Sequence, residues 1–283
     1  MMVPMNDTTP TLTFNDGAAM PQVGLGTARE DDETMRRVVR EAIDVGYRLI
    51  DTAAKYENEI GVGRGIADSG VGRDELFVTT KLRGSEQGYE SAFTALDGSL
   101  DRLGLEYVDL YLIHWPLPRL DKYLDSWRAI VELQAAGKTR SIGVSNFLPE
   151  HLDRLADAGL PVPALNQIEL HIGFPQREQR ADDERRGIVT QAWSPLANNP
   201  ALLADPAVVR TAERVGRSPA QVLLRWHVQQ GIAIVPKTTS TERARQNLAL
   251  FDFELSDDDL RELATLETGI RVGDQDPATY EEF

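Results

Sequence analysis

The chain has 283 residues, 41% of them hydrophobic, with 45 acidic against 30 basic side chains, a formal net charge of −15 and no cysteine. The acidic balance argues against a nucleic-acid partner, because phosphate binding rests on clustered Lys and Arg. The lack of cysteine excludes disulfides, thiolate metal sites and a cysteine nucleophile. No run approaches the roughly 18 apolar residues of a membrane span. The opening MMVPMNDTTP has neither a basic region nor an apolar run, so it reads as a short frayed tail, not a signal peptide, and a cytoplasmic location is expected. No stretch is rich enough in Pro, Gly or Ser to be a linker, so residues 1–283 are expected to form one domain.

In chain order, TLTFNDGAAMPQVG reads as a β-hairpin with Asn15, Asp16 and Gly17 supplying the turn. Short β-rich runs follow at residues 23–26, 47–50, 76–80, 108–113, 141–144, 164–168, 188–192 and 232–235. Helical periodicity fills the gaps. One segment carries Phe93, Leu96, Leu100 and Leu103 and is closed by Gly104; another carries Leu120, Leu124, Trp127 and Val131 and is closed by Gly137. Strands alternating with helices predict a parallel sheet, and eight such units predict a closed α/β barrel, the (β/α)8 or TIM barrel. Two glycine runs are decoys. GLGTAR at residues 24–29 lacks the third glycine of a dinucleotide fingerprint, and GVGRG at residues 61–65 follows no strand and reads as a glycine-rich helix.

A barrel of this kind carries its functional side chains at the C-terminal ends of its strands. Just past the candidate strands stand Asp51, Lys81, His114, Ser145 with Asn146, Trp193 with Ser194, and Lys237, while Gln167 closes its own strand. Taken singly, each has a bland reading: a helix-capping Asp, a solvated Lys, a rim Tyr at Tyr56, a structural His. His151, His171 and His227 keep that structural reading. Together on one face, however, an acid, a phenol, an amine and an imidazole form a proton-transfer set. A carbonyl that accepts hydride develops charge on oxygen and needs a proton. A phenol with a pKa near ~10 is a poor acid. A neighbouring Lys lowers that pKa, a carboxylate keeps the Lys charged, and an imidazole orients the carbonyl.

The segments GYRLIDTAAKYENE, TTK, LYLIHWP, GKTRSIGVSNF, ALNQIELH, AWSPL and IVPKTTSTERARQN resemble, in order and across essentially the whole chain, the aldo-keto reductase family. The likeness looks nearest to bacterial reductases of the 2,5-diketo-D-gluconate type. It implies NADPH-dependent reduction of small aldehydes and ketones, with dicarbonyl or sugar-derived substrates, by a monomer. It implies a catalytic set of Asp51, Tyr56, Lys81 and His114, with Tyr56 the general acid. For NADPH it implies Gly26 and Thr27, then Ser145, Asn146 and Gln167 at the nicotinamide amide, and Trp193 stacked on the ring where the family commonly has Tyr. Ser194 and Leu196 fall at the pyrophosphate, Lys237, Thr238 and Arg243 at the 2′-phosphate, and Gln246 and Asn247 near the adenine, Gln246 standing where Glu is frequent. Ala28, where a bulky aromatic is usual, and Trp115 would line the substrate pocket, together with a C-terminal loop, GIRVGDQDPATYEEF. Two other readings remain open at this point: a Schiff-base lyase using Lys81, and an NADPH-binding regulatory module with little turnover.

Overall fold

A computed structural model of the chain describes residues 9–273 and 275–282, so the expected frayed tail lies, apart from Thr9 and Pro10, outside the described residues. Strands β1 (Thr11–Thr13) and β2 (Ala19–Pro21) pair antiparallel about a turn in which Gly17 donates its N–H to the Phe14 carbonyl at 3.0 Å. Gly17 sits at φ +89°, a left-handed value that glycine adopts without a Cβ penalty.

Eight parallel strands follow: β3 (Leu25–Gly26), β4 (Leu49–Asp51), β5 (Phe77–Leu82), β6 (Val108–Ile113), β7 (Thr139–Ser145), β8 (Leu165–Glu169), β9 (Val189–Trp193) and β10 (Ala233–Ile234). They neighbour one another in sequence order. The ring closes where Val23 bridges Ile234 and Gly26 bridges Lys237, with Gly24 N on Ile234 O at 2.8 Å and Ile234 N on Gln22 O at 2.9 Å. Closure removes the unpaired edges that an open sheet would expose. One helix follows each of the strands β3 to β8: α1 (Asp32–Val45), α2 (Glu59–Ser69), α3 (Tyr89–Leu103), α4 (Tyr123–Ala135), α5 (Pro149–Asp157) and α6 (Arg177–Arg186). Three, α7 (Pro200–Leu203), α8 (Pro206–Val215) and α9 (Pro219–Val228), separate β9 from β10, and α10 (Thr241–Leu248) and α11 (Asp257–Ala264) come last.

Several boundaries differ from the sequence reading. Lys81 lies inside β5 and Asp51 ends β4, while Tyr47 precedes its strand. Leu120 is not on α4. Pro116 and Pro118 lack the N–H donors a helix needs, and Asp121 at φ +53° breaks the geometry, so the helix starts only at Tyr123.

The two faces of the sheet form two cores. Leu49, Phe77, Leu110, Leu112, Leu165, Ala233 and Val235 meet inside the barrel, where Phe14 and Met20 of the hairpin join the same cluster. Phe14 stacks edge-on against Phe77 with ring centres 6.1 Å apart. Their neighbours Ile50, Val78, Tyr111, Ile113, Ile168 and Ile234 pack outward against the helices. This is the period-two alternation of strands.

The GVGRG run is helical, within α2, and its glycines permit backbone contact. A Cβ on Gly61 or Gly65 would overlap the α1 carbonyls of Asp32 or Arg36, and one on Gly63 would overlap the carbonyl of Leu103 at the end of α3. Alanine is the better helix former by roughly 0.5–1 kcal/mol, but the backbone overlap should win at Gly63. Gly63→Ala is expected to lose about 2 kcal/mol or more in urea denaturation. Gly98→Ala on α3, where a Cβ would meet only the far end of the Arg102 side chain, Nη1 at 3.2 Å, should instead be neutral or gain up to about 1 kcal/mol. Equal losses at both positions would refute the close approach of α2 to its neighbours.

Candidate active site

The inward-facing positions that hold the lower core turn polar toward the strand C-termini. Leu49 gives way to Asp51, Phe77 to Thr79 and Lys81, Leu110 and Leu112 to His114, Leu165 to Gln167, Val189 to Gln191 and Trp193, and Val235 to Lys237. The same strands therefore seal the bottom of the barrel and furnish its top.

Lys81 is fully buried. Its ammonium reaches Asp51 Oδ1 at 2.6 Å, the Thr52 carbonyl at 2.9 Å and the Tyr56 hydroxyl at 3.5 Å. Burial works against that charge, but Asp51 and Tyr56 outweigh it and hold the Lys81 pKa above the ordinary lysine value. The other oxygen of Asp51 accepts from Gln167 Nε2 at 2.8 Å. Tyr56 lies on a one-turn 3-10 helix (Ala54–Tyr56), and its ring meets that of His114 edge-on at 5.8 Å. Burial is the largest influence on the phenol and raises its pKa, with the Lys81 cation acting in the opposite direction. Sequence reasoning weighed only the lysine. The net direction is upward, so the hydroxyl holds its proton at neutral pH while Lys81 reduces the cost of giving it up.

Asp51, Tyr56, His114 and Gln167 border a cavity of about 550 Å³ at the top of the barrel, within the range of small-molecule sites. Of the expected residues, Gly26, Thr27, Ala28, Asp51, Tyr56, His114, Trp115, Ser145, Asn146, Gln167, Trp193, Ser194, Leu196 and Lys237 line it. Trp193 Nε1 donates to Asn146 Oδ1 at 2.8 Å, and Asn146 Nδ2 donates to the His114 carbonyl at 3.0 Å, so the indole, the amide and the His114 backbone are held as a unit. Asn146 (φ +62°), Ser194 (φ +50°) and Arg29 (φ +71°) adopt left-handed backbone at this rim. Such conformations cost on the order of 1–3 kcal/mol each and gather at functional sites.

Besides the enclosed Lys81, four expected residues stand outside that cavity. Thr238 and Arg243 are in contact through Arg243 Nε and Thr238 Oγ1 at 3.2 Å. Gln246 is bonded to Glu242 at 3.2 Å, and the buried Asn247 lies by Tyr47. Lys237 is paired with Glu30, a partner no motif indicated. Three histidines kept their structural reading and have structural partners: His151 accepts from Leu148 N, His171 meets Glu169, and His227 lies between the carbonyls of Leu223 and Leu170.

Sequence reasoning missed Lys55, and it named the C-terminal loop but not its individual cavity residues Gln275, Tyr280 and Glu282. The tail that carries the last three is tethered by Gly173 O, which accepts from Thr268 N and Gly269 N at 2.9 and 3.0 Å, and by buried Glu169, which accepts from Val272 N. It then crosses the mouth, where Tyr280 packs on Trp115 with ring centres 4.4 Å apart. No periodicity marks such a segment.

An α/β barrel thus carries a phenol–amine–carboxylate cluster at the C-terminal ends of its strands. The sequence model of the Aldo/keto reductase family matches residues 20–268. An aldo-keto reductase of Mycolicibacterium smegmatis is 51% identical over 271 residues, covering 96% of this chain and 98% of the relative. Morphine 6-dehydrogenase of Pseudomonas putida is 45% identical, covering 97% and 98%. The crystal structure of an aspartate-to-alanine variant of Gox0644 in complex with NADPH superposes with a TM-score of 0.92 at 42% identity, covering 97% of this chain and all of that one. The chain belongs to the aldo/keto reductase family.

Ala28 and Trp115 both border the cavity. Filling the space at position 28 should therefore discriminate by size. Ala28→Trp is expected to lower kcat/KM for a bulky aromatic aldehyde by about ten-fold more than for a three-carbon aldehyde, as steric overpacking of about 1.4 kcal/mol would give. Equal losses for the two would remove Ala28 from the pocket wall.

Proposed function

We propose that the protein is an NADPH-dependent reductase of small aldehydes and ketones, with Tyr56 the proton donor and Asp51, Lys81 and His114 its supporting set. The observation that carries this reading is the Tyr56 hydroxyl at the cavity wall, placed 3.5 Å from a lysine whose charge is locked by Asp51. Bound NADPH would supply the hydride. Ser145, Asn146 and Gln167 offer amide and hydroxyl groups for its carboxamide, Trp193 a flat indole for its ring, and Lys237, Thr238 and Arg243 a basic loop for its 2′-phosphate. Arg suits that phosphate through its planar fork of donors. The donor set fits the cofactor chemically, with one qualification in the geometry: Glu30 already holds Lys237, so a phosphate there competes with a carboxylate. His114 would orient the carbonyl oxygen toward Tyr56, and Gly26, Thr27, Ser194 and Leu196 would border the cofactor. We read residues 1–283 as one unit, acting as a monomer in the cytoplasm on small, dicarbonyl or sugar-derived carbonyls and on no nucleic acid.

The Schiff-base alternative is disfavoured by chemistry. An amine nucleophile must be neutral and reachable, whereas Lys81 is enclosed, triply bonded and pushed toward its charged form. A binding module without turnover would have no use for a lysine buried at the desolvation cost of several kcal/mol that such a charge carries.

Tyr56→Phe removes one hydroxyl. It is expected to leave NADPH affinity, measured by fluorescence quenching, near wild type while carbonyl reduction falls by about 100-fold or more, the usual worth of a general acid; near-normal kcat would dismiss Tyr56 as the donor. Arg243→Ala should weaken NADPH binding by about 10- to 150-fold, since a hydrogen bond to a charged group is worth about 1.5–3 kcal/mol, and should barely affect NADH. The loss should shrink at high salt, where the wild-type contact is already screened. Equal losses for the two cofactors would assign Arg243 to the fold.

A further inference from the structure

We infer that Glu282 determines substrate charge: its buried carboxylate, seated against His114 in the substrate pocket, selects carbonyl compounds that are neutral or cationic and disfavours those that carry a carboxylate. The inference rests on the reductase reading above and adds the substrate class.

Glu282 is only 2% exposed, and both of its oxygens are placed. Oε2 accepts from Gly84 N at 2.7 Å, and Oε1 stands 2.6 Å from His114 Nδ1. The second approach is close but lies off the line of an N–H bond, so it is an electrostatic contact more than a directed one. Gly84 is cut to fit this arrangement. A Cβ there would come within 2.7 Å of the Glu282 carbonyl and 3.0 Å of Oε2, so any larger residue would push the tail away. Burial alone would favour the neutral acid, but His114, the Gly84 N–H and Lys55 outweigh it and hold the Glu282 pKa below the ordinary value. The group is therefore an anion at neutral pH.

The cations near it are either matched or solvated: Arg29, which lines the same cavity, is exposed. Lys81 is matched by Asp51, Lys237 by Glu30, and Glu281 pairs outward with Arg119 at 3.8 Å. Lys55 borders the same cavity and acts on Glu282, but it is only half-buried, so water screens it more than the enclosed carboxylate. A substrate whose carbonyl reaches Tyr56 and His114 lies beside Glu282. A second anion brought there repels it through little intervening water, while Arg29 and Lys55 offer only solvated charges.

The test compares 4-formylbenzoate with its methyl ester, two aldehydes that differ by one charge. The ratio of kcat/KM for acid over ester, measured within each protein with saturating NADPH, cancels any difference in folded fraction. Unit charges about 8 Å apart at an effective dielectric near 20 repel by enough to change a rate about 30-fold. Glu282→Gln should therefore raise the acid-to-ester ratio by about ten-fold or more, and Glu282→Ala should move it the same way. An unchanged ratio in both variants overturns the proposal. A parallel rise for acid and ester also overturns it, because the tail would then be a plug and not a charge filter. Absence of any NADPH oxidation with the ester by wild-type protein would instead bring down the reductase reading itself, and the wild-type arm alone shows which has failed.

Discussion

Lys81 is enclosed by protein on every side, and a buried ammonium is tolerable only where its charge and its three donors are all answered. The answers all come from one segment distant from Lys81 in sequence: the end of β4 through Asp51, the next residue through Thr52 O, and the 3-10 turn through Tyr56. Asp51 in turn is held by Gln167 from β8, across the barrel, and Gln167 by Gln191 of β9 at 2.6 Å. The register that pairs Asp51 with Thr79 and Gln167 with Ser145 is thus tied to one electrostatic requirement. A slip of one residue would turn Lys81 into the helix layer, where no carboxylate awaits it.

Much of this was legible in the sequence because two periodicities carry it. Helical spacing marked the helices, and eight repeats of a β-rich run then a helix pointed to the closed barrel. The hairpin turn at Gly17, the C-caps at Gly104 and Gly137 and the polar strand ends all rest on local chemistry, which a sequence displays directly. Leu120 was misplaced because its spacing mimics a helical face while Pro118 and Asp121 deny it the backbone. The sign of the Tyr56 shift was also missed: the motif names the lysine beside the phenol but not the depth of burial that opposes it.

The charge balance has a local resolution. A chain of net charge −15 that handles a polyanion needs its cations arranged, not numerous. Lys237 is paired with Glu30, and Arg243 at the start of α10 is tied to Thr238 by its Nε, so both cations already have partners within the chain. On the proposed cofactor placement this pairing would carry a cost, since a phosphate would displace a carboxylate, and a benefit, since long flexible side chains lose less entropy on binding once they are already held.

The tail obeys different physics from the barrel it covers. Its anchors are separate and mostly polar: backbone bonds at Gly173, the Glu169 carboxylate on Val272, one aromatic pair between Tyr280 and Trp115, and the Glu282 carboxylate on Gly84 and His114. An aromatic pair adds about 0.5–1.5 kcal/mol beyond its buried area, and single hydrogen bonds about 0.5–1.5 kcal/mol. None of these shares the apolar cores that hold strands to helices. A segment so fastened can separate contact by contact while the barrel stays intact, as local openings of low free energy do. The mouth of the cavity can therefore change without disturbing the Lys81–Asp51 pair beneath it.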